Sequence, residues 1–513
     1  MKSVTVTNFS RSAESDRKKM VTVTDFSRRD FLKKAGGLGV AGVGSPALLG
    51  LEGVRAAGAS RSPLPGFGKA KSVVVLYLYG APSQMETLDP KPEAPLEYRG
   101  ELKAIPSSLP GVQVSELLPK VGRNLHRLAL LRSMTHTSNN HAVSVALSGL
   151  SKSSPQIEAN GKDDRHWPYI GSVLEYLWKQ KGLDSASTGI PVHMILPWNL
   201  NARTDPRRWT PNAAWLGKAY NPVMPRFHGK GSREVGNPTA MGSNPVLSRY
   251  DPYDGVTQDS TFLFEGTTLE KDIPPARLAA RRKLLTSLGR GITLQGNADQ
   301  GFERAQDVAF RMIIDPRVAE AVDVTREPYR VREKYGLTLF GLEALAARRL
   351  IEAGVKVVTA IWDDYSYANN AWDTHHNHFP RLKQGLCPIF DEVLPAFLDD
   401  MEQRGLLEDT LVMVISEHGR TPSITKTPGG GREHWSGAYW GLFFGAGIKT
   451  GQVIGATDKQ GAYPISNPTD PKDVLATMYH LLGIDSHSTT IPDRLGRPIY
   501  ILPHGEAVKE LLA

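Results

Sequence analysis

Lys71-Ser-Val-Val-Val-Leu-Tyr-Leu-Tyr79 is an unbroken apolar run that is rich in β-branched and aromatic residues. Such a run is typical of a strand that is buried on both faces of a parallel sheet. Gly80-Ala-Pro-Ser83 follows it with residues that break strands, so the strand is expected to end at Tyr79. Further strands are predicted at residues 128–133, 191–196, 356–362, 410–416 and 439–444.

Helical patterns separate these strands and are found at residues 142–147, 275–288, 298–315, 337–353, 388–404 and 473–482. The alternation predicts an α/β fold class: a mostly parallel central sheet with helices on both faces. Residues 200–260 are rich in Pro, Asn, Gly and Arg and show no sustained period, which predicts an irregular insertion over one face. We therefore interpret residues 60–513 as a single α/β domain.

Residues 1–59 have the character of an export signal. Ser27-Arg-Arg-Asp-Phe-Leu-Lys-Lys34 matches a twin-arginine signal, and Ala57-Gly-Ala59 offers a small-residue cleavage site. The sequence therefore predicts a signal peptide that is removed, the twin-arginine translocase as a partner during export, and a periplasmic or extracellular destination. The intervening apolar run, residues 35–51, is too short and too weakly hydrophobic for a stable membrane anchor. The alternative is an amphipathic surface helix with a chance arginine pair.

A repeat upstream of the arginine pair leaves two interpretations of the start open. Residues 4–10 recur with one change as residues 21–27, and Met20 directly precedes the second copy. Either Met20 is the true start, or the segment is a short duplication.

The charge of the chain depends on this segment. The formal net charge is +8, but residues 1–59 hold 10 Lys and Arg against 5 Asp and Glu. The remaining residues have 51 against 48, an ordinary balance that predicts no nucleic-acid partner. The single cysteine excludes an internal disulfide and any metal site built from several cysteines.

Half of the 14 histidines lie in four short segments: His136 and His141; His375, His376 and His378; His418; His434. Three of these segments follow predicted strands, and the carboxyl ends of parallel strands are where open α/β sheets bind ligands. Carboxylates accompany the histidines at Glu86, Asp89, Asp373 and Glu417. Mixed imidazole and carboxylate ligands suit zinc, manganese or iron. The alternatives are helix caps, surface ion pairs and solvated loop histidines.

Five motifs together resemble a known group: residues 80–92, Trp372-Asp-Thr-His375, Ser416-Glu-His-Gly-Arg-Thr-Pro422, Gly431-Arg-Glu-His-Trp435 and residues 451–458. They are similar to the bacterial family of domain of unknown function 1501, which is grouped with the alkaline phosphatase and sulfatase superfamily. The resemblance covers nearly all of residues 70–500.

The resemblance implies a site for one or two divalent metal ions: zinc, manganese or calcium. Glu86 and Asp89 would ligate one ion together with the adjacent pair Glu417 and His418. Asp373 and His375, with the distal His434, would hold the second.

The resemblance also implies a nucleophile near the second strand, where Asn139 takes the expected place. Thr135, Ser138 and the neighbouring Thr137 are the hydroxyl candidates, and His136 and His141 are candidate ligands or acid–base groups. Arg420, like Arg132, is a candidate to bind an anionic oxygen; the alternative is a surface salt bridge. The sequence lacks the Cys-x-Pro-x-Arg signature of formylglycine sulfatases. Water activated by the metal could replace a protein nucleophile.

Two functions remain open at this point. The first is an exported metal-dependent hydrolase of phosphate or sulfate esters, with an anionic ester or polysaccharide-type substrate. The second is a non-catalytic exported binding or assembly protein that retains the superfamily fold.

Overall fold

The main sheet of the computed structural model has seven strands within the described residues, which are 64–150, 152–161, 163, 165–197, 211–229, 256–265, 275–289, 297–362 and 371–513. The strands are β1 (Ser72–Leu78), β2 (Ala129–Met134), β3 (His193–Leu196), β4 (Val357–Trp362), β5 (Thr410–Ile415), β6 (Tyr439–Gly445) and β7 (Gln452–Ile454). Their spatial order is β7-β2-β6-β5-β1-β4-β3.

Strand β1 lies inside the sheet and is buried along its whole length. It runs parallel to β4, with Val73 opposite Val357, and parallel to β5, with Ser72 opposite Thr410. Strand β6 is antiparallel to both of its neighbours, β2 and β5, whereas the β3–β4 and β7–β2 pairs are parallel. The predicted α/β fold class with a mostly parallel sheet is confirmed.

The helices of six residues or more are Pro119–Asn124, Val143–Ser148, Ile170–Lys179, Pro275–Gly289, Asn297–Ile314, Arg317–Val322, Tyr329–Lys334, Leu339–Glu352, Cys387–Gln403 and Pro471–Leu481. Side-chain hydrogen bonds cap the starts of two of these helices. The Thr338 side chain accepts the Gly341 N–H at the start of Leu339–Glu352, and Asp470 forms a capping box with Asp473 at the start of Pro471–Leu481.

Two residues of β4 show that helices cover both faces of the sheet. Trp362 packs on Phe340 of the Leu339–Glu352 helix, with ring centroids 4.6 Å apart. The Thr359 hydroxyl instead bonds the hydroxyl of Tyr169, which directly precedes the Ile170–Lys179 helix. Because residues three apart in a strand point to opposite faces, these contacts lie on opposite sides of the sheet.

Most of the predicted insertion at residues 200–260 lies outside the described residues, as does the predicted signal peptide. The described parts near it contain the short 3-10 helices Ala214–Leu216 and Lys218–Tyr220 and a paired ribbon of Arg226–His228 with Thr261–Leu263. A membrane-spanning helix would need a longer apolar stretch than any helix in the described part of the chain provides.

The turn after β1 brings two distant loops into contact at Gly80. Its φ of +87° favours glycine, and a Cβ there would lie 2.3 Å from the backbone nitrogen of Asp373. Its N–H donates to Glu417 Oε1 at 2.7 Å. The loops at the sheet edge therefore pack so closely on Gly80 that there is no room for a side chain at this position.

Substituting Gly80→Ala is expected to cost about 3–5 kcal/mol of folding stability, because backbone must move to make room for the methyl group. Gly111→Ala is the matched control: its φ is +76°, but a Cβ there meets nothing within 4 Å. The control should lose only about 1–2 kcal/mol, the cost of the left-handed conformation. Urea unfolding followed by tryptophan fluorescence measures both variants, and equal losses would contradict the steric argument.

Candidate metal centre

Three loops and a two-residue strand at the carboxyl edge of the sheet bring together the side chains of His141, Asp373, His375, His418 and His434. His141 follows β2, Asp373 and His375 follow β4, and His418 follows β5. His434 lies on a two-residue strand that pairs antiparallel with Gly419–Arg420. Within the described residues, the ligand atoms form two overlapping groups, each spanning at most 4.8 Å: His141 with His418 and His434, and Asp373 with His375 and His434.

Three of the four histidines are held in the same way, through Nδ1. Nδ1 of His141 donates to Glu417 Oε1 at 3.0 Å, and Nδ1 of His418 donates to the Gly419 carbonyl at 2.8 Å. Nδ1 of His375 bonds Glu433. Because an oxygen acceptor keeps the proton on Nδ1, the Nε2 lone pair of each ring is left free for a cation.

The Nε2 atoms converge on the carboxylate of Asp373. Oδ1 lies 2.9 Å from His375 Nε2 and 3.3 Å from His434 Nε2, and Oδ2 lies 3.3 Å from His141 Nε2. The Nε2 atoms of His375 and His434 are 3.1 Å apart. Lone pairs at such distances repel each other unless a proton or a metal ion lies between them.

His418 Nε2 gives a further sign of a ligand. The ring is fully buried, and Nε2 has no hydrogen-bond partner in the described structure. Burial lowers the pKa of His418 well below its usual range, helped by the charges of neighbouring groups, so the ring is neutral. A neutral, buried imidazole with an unused lone pair fits a metal ligand.

The field of the site favours a positive charge beside Asp373. Burial opposes a charge on His141, yet Asp373 and Glu417 outweigh it and raise the pKa of His141 to about 9. Burial would raise the pKa of Asp373, but Arg420 and His141 hold it well below its usual range. Burial and the neighbouring positive charges lower the pKa of His434 to about 3. Ionised carboxylate and neutral imidazole are the forms that bind metal, so an ion at the cluster would displace the Nε2 proton that His141 holds beside Asp373.

Arg420 is fully buried beneath this cluster. Its guanidinium bonds Asp373 Oδ1 and donates to three backbone carbonyls, those of Gly80, Ala81 and Arg432. The Gln84 side-chain oxygen accepts the Arg420 N–H at 3.0 Å. The arginine therefore orients Asp373, and its donors are used within the protein.

A family match over residues 70–512 agrees with the motifs around this cluster. The family model described as Protein of unknown function (DUF1501) matches residues 70–512. The chain belongs to this family. A search of curated proteins found no match.

Solved structures similar to this DUF1501 chain include members of the alkaline phosphatase superfamily. A protein of that superfamily from Vibrio parahaemolyticus is 14% identical, with 85% of this chain and 71% of that chain covered and a TM-score of 0.35. The PsFucS1 sulfatase from Pseudoalteromonas sp. is 12% identical, with 87% of this chain and 72% of that chain covered and a TM-score of 0.37. The C-terminal periplasmic domain of EcEptC from Escherichia coli, in complex with Zn, is 11% identical, with 87% of this chain and 99% of that chain covered and a TM-score of 0.28. Likenesses this distant transfer no activity to the chain.

The site residues predicted from the sequence lie in several separate sets of contacts. Asp373, His375 and His434 lie together, and His418, expected to bind a different ion, lies beside them. His141, expected as a ligand or an acid–base group, joins this cluster. Glu417 lies behind His141 and accepts a hydrogen bond from its Nδ1–H, which orients that ring. Glu433 orients His375 in the same way, and sequence reasoning missed it although it directly precedes His434.

Glu86, predicted to be a ligand, is fully buried in a different set of contacts. Its Oε1 bonds the buried Arg432, and its Oε2 lies 3.1 Å from Nε2 of the buried His378. Burial alone would raise the pKa of Glu86, but Arg432 and His378 lower it to about 2. Sequence reasoning did not assign a role to Arg432, which also donates to the carbonyls of three neighbouring loop residues, Tyr98, Thr421 and Pro422.

Substituting Glu86→Gln is expected to cost about 3–5 kcal/mol of stability, because it leaves the buried Arg432 charge without its partner. Glu101→Gln is the matched control, since Glu101 pairs with Lys383 at the surface and its loss should cost under about 1 kcal/mol. Urea unfolding and elemental analysis of the folded fraction measure both effects. If Glu86→Gln lost its metal but not its stability, Glu86 would be a ligand.

Asp89, predicted to be a ligand, also has partners of its own. It bonds the Thr457 hydroxyl, lies 3.0 Å from Lys91 Nζ and 3.5 Å from Arg132 Nε. Arg132 Nε also donates to the Leu88 carbonyl. This group stabilises the loop after β1.

The remaining candidates follow β2, and several of their polar atoms are hydrogen-bonded to backbone groups. His136 Nε2 donates to the Glu417 carbonyl at 2.7 Å, and its Nδ1 accepts the Ser138 N–H at 3.1 Å, so both ring nitrogens are used. The Ser138 hydroxyl accepts the Ser153 N–H. The Thr135 N–H donates to the Thr469 carbonyl. Across the described residues, no serine or threonine hydroxyl hydrogen-bonds to a side chain of the five-residue cluster.

Proposed function

We propose that this chain is an exported, divalent-metal-dependent hydrolase of phosphate or sulfate esters. The observation that carries the proposal is the arrangement of His141 and His375, each anchored through Nδ1, around the Asp373 carboxylate. His418, also anchored through Nδ1, lies in the same group of ligand atoms as His141. A neutral imidazole set by a hydrogen bond to its far nitrogen is the usual form of a histidine metal ligand. The cluster also lies at the sheet edge where α/β proteins bind ligands.

The donor chemistry favours zinc or manganese over calcium. Four imidazoles and one carboxylate offer a mainly nitrogen set, which suits zinc best, and the carboxylate makes manganese the second choice. Calcium prefers six to eight oxygen ligands. When bound, such an ion supplies Lewis acidity at an ester oxygen and lowers the pKa of water.

The protein itself holds the protons of the ligand rings and leaves one side of the site open. Glu417 is fully buried and keeps the Nδ1 proton of His141 in place, and Glu433 does the same for His375. The side chains of His375 and His434 are 17% and 21% exposed, whereas His418 is fully buried, so a substrate approaches from the His375 side. Glu433, 53% exposed beside His375, is the group best placed to exchange a proton with solvent.

A non-catalytic binding protein is the second candidate. The observation that favours it is the lack, within the described residues, of a hydroxyl hydrogen-bonded to the cluster side chains. An enzyme of this kind would depend on activated water, whereas a binding protein would need neither water nor a nucleophile. The enzyme requires the metal and turnover, whereas the binding protein requires no turnover.

The test is elemental analysis of the purified protein, followed by assays on a panel of aryl phosphate and aryl sulfate esters. A bound divalent metal with turnover that EDTA abolishes and added zinc or manganese restores is the expected result. Bound metal without turnover on any ester would favour the binding protein. A metal-free protein that is inert on every ester would refute the proposal.

The export part of the proposal predicts that changing both Arg28 and Arg29 to lysine retains the precursor inside the cell. Twin-arginine signals depend on the arginine pair rather than on positive charge alone. Immunoblots of cell fractions should show the processed chain outside the cytoplasm for the unchanged sequence and the unprocessed chain inside for the variant. Changing Lys33 and Lys34 to arginine is the control, which should leave export unaffected. Equal export of both variants would contradict the twin-arginine route.

A further inference from the structure

We infer that the cluster holds one metal ion, and that the guanidinium of Arg420 supplies the fixed positive charge that a second ion would otherwise bring. This inference rests on the metal binding proposed above and goes further by fixing its stoichiometry. It follows from the way the ligand atoms are shared and from the charges around them.

The two groups of ligand atoms are not independent. His434 belongs to both, and its Nε2 lies 3.1 Å from His375 Nε2 and 3.3 Å from Asp373 Oδ1. A ring nitrogen has one lone pair and binds one ion. Asp373 joins the groups a second time, since its Oδ2 lies 3.3 Å from His141 Nε2. Two ions would have to divide His434 and Asp373 between them, whereas one ion can take its ligands from either group with His434 in common.

A single divalent ion balances the formal charges around the cluster. Three carboxylates surround the ligand atoms, those of Asp373, Glu417 and Glu433, and one guanidinium, that of Arg420, contacts Asp373. With His141 neutral, as metal binding requires, they leave two net negative charges, which one divalent ion neutralises. A second divalent ion would leave two uncompensated positive charges in a largely buried site, where desolvation makes them costly. The neighbouring Glu86 and Arg432 cancel each other.

Arg420 cannot move aside for a second ion. Its side chain is fully buried and donates to the carbonyls of Gly80, Ala81 and Arg432 as well as to Asp373. The Arg432 carbonyl belongs to the segment that carries His434, and those of Gly80 and Ala81 belong to the turn that packs on Asp373, so moving the guanidinium would disrupt the site itself. The Asp373 oxygen nearest His375 and His434 therefore already has a cation on its other side.

The experiment titrates the metal-depleted full chain with zinc or manganese and measures stoichiometry by calorimetry and elemental analysis. One ion per chain is expected, and a manganese-loaded sample should give the electron paramagnetic resonance spectrum of an isolated ion. Two ions per chain, or the spectrum of a coupled pair, would overturn this inference while leaving the proposed metal binding intact. No binding at all would overturn both.

A pair of variants tests the inference without relying on one spectrum. His375→Ala removes a ligand of one group only, and His418→Ala removes a ligand of the other group only. If one ion uses both groups, each variant should weaken the same binding event about 10²-fold or more. If either variant instead bound one ion tightly where the unchanged chain binds two, the site would be binuclear. His126→Ala, an exposed histidine that bonds Ser108, is the control and should bind as the unchanged chain does.

Discussion

Replacing His418 with alanine is expected to abolish both metal retention and ester hydrolysis. The ring is fully buried, its Nδ1 is fixed by the Gly419 carbonyl, and its Nε2 has no partner within the described residues. The rings of His141 and His434, whose centroids lie 5.5 and 4.6 Å away, are already members of the same ligand group and cannot supply that nitrogen as well. Metal affinity should fall by about 10²-fold or more, and kcat/KM should fall in parallel.

The measurement compares metal content, kcat/KM on aryl esters and circular dichroism for the His418→Ala and His126→Ala variants. The control histidine is exposed and bonds only Ser108 among the described residues, so its loss should leave all three readouts unchanged. Circular dichroism separates loss of metal from loss of fold. A folded His418→Ala protein that keeps its metal would contradict the assignment of His418 as a ligand.

The fold could largely be predicted from the sequence because its strands are continuous apolar runs. The predicted strand at 410–416 is Thr410–Ile415, and the predicted strand at 356–362 is Val357–Trp362. Buried strands need apolar residues on both faces, and few other local structures share that pattern. The three-residue strand Gln452–Ile454 was missed because so short a run has no period. The antiparallel direction of Tyr439–Gly445 was not predicted because strand direction depends on partners, not on local sequence.

The site was readable in part, for a related reason. A histidine after a buried strand must lie at the carboxyl edge of the sheet, so His141, His375 and His418 could be expected to meet. What each acidic side chain faces is set by distant chain segments. Glu86 follows the first strand as a ligand would, but its partner Arg432 is 346 positions away. An acid paired with arginine and an acid facing a metal are indistinguishable by local pattern.

Replacing Arg420 with methionine is expected to destabilise the fold by about 3–5 kcal/mol, because it leaves a buried carboxylate without its cation. Asp373 would lose its partner, and three backbone carbonyls would lose a donor. One of those carbonyls belongs to Ala81, whose φ of 69° lies in the left-handed region and costs about 1–3 kcal/mol. Arg317→Met is the matched control: the side chain of Arg317 is 60% exposed and pairs only with Asp315 among the described residues, so it should change stability by about 0.5 kcal/mol or less.

The Arg420 variant should respond to metal more strongly than the unchanged chain. A divalent ion beside Asp373 would replace part of the charge that Arg420 supplied, so the loss measured in EDTA should shrink when zinc is in excess. Free metal at about 100 times its dissociation constant stabilises a folded protein by about 2.7 kcal/mol, which sets the scale of the recovery. Urea unfolding of both variants, with EDTA and with excess zinc, measures this difference. If zinc stabilised Arg420→Met no more than Arg317→Met, Arg420 would not share Asp373 with the metal.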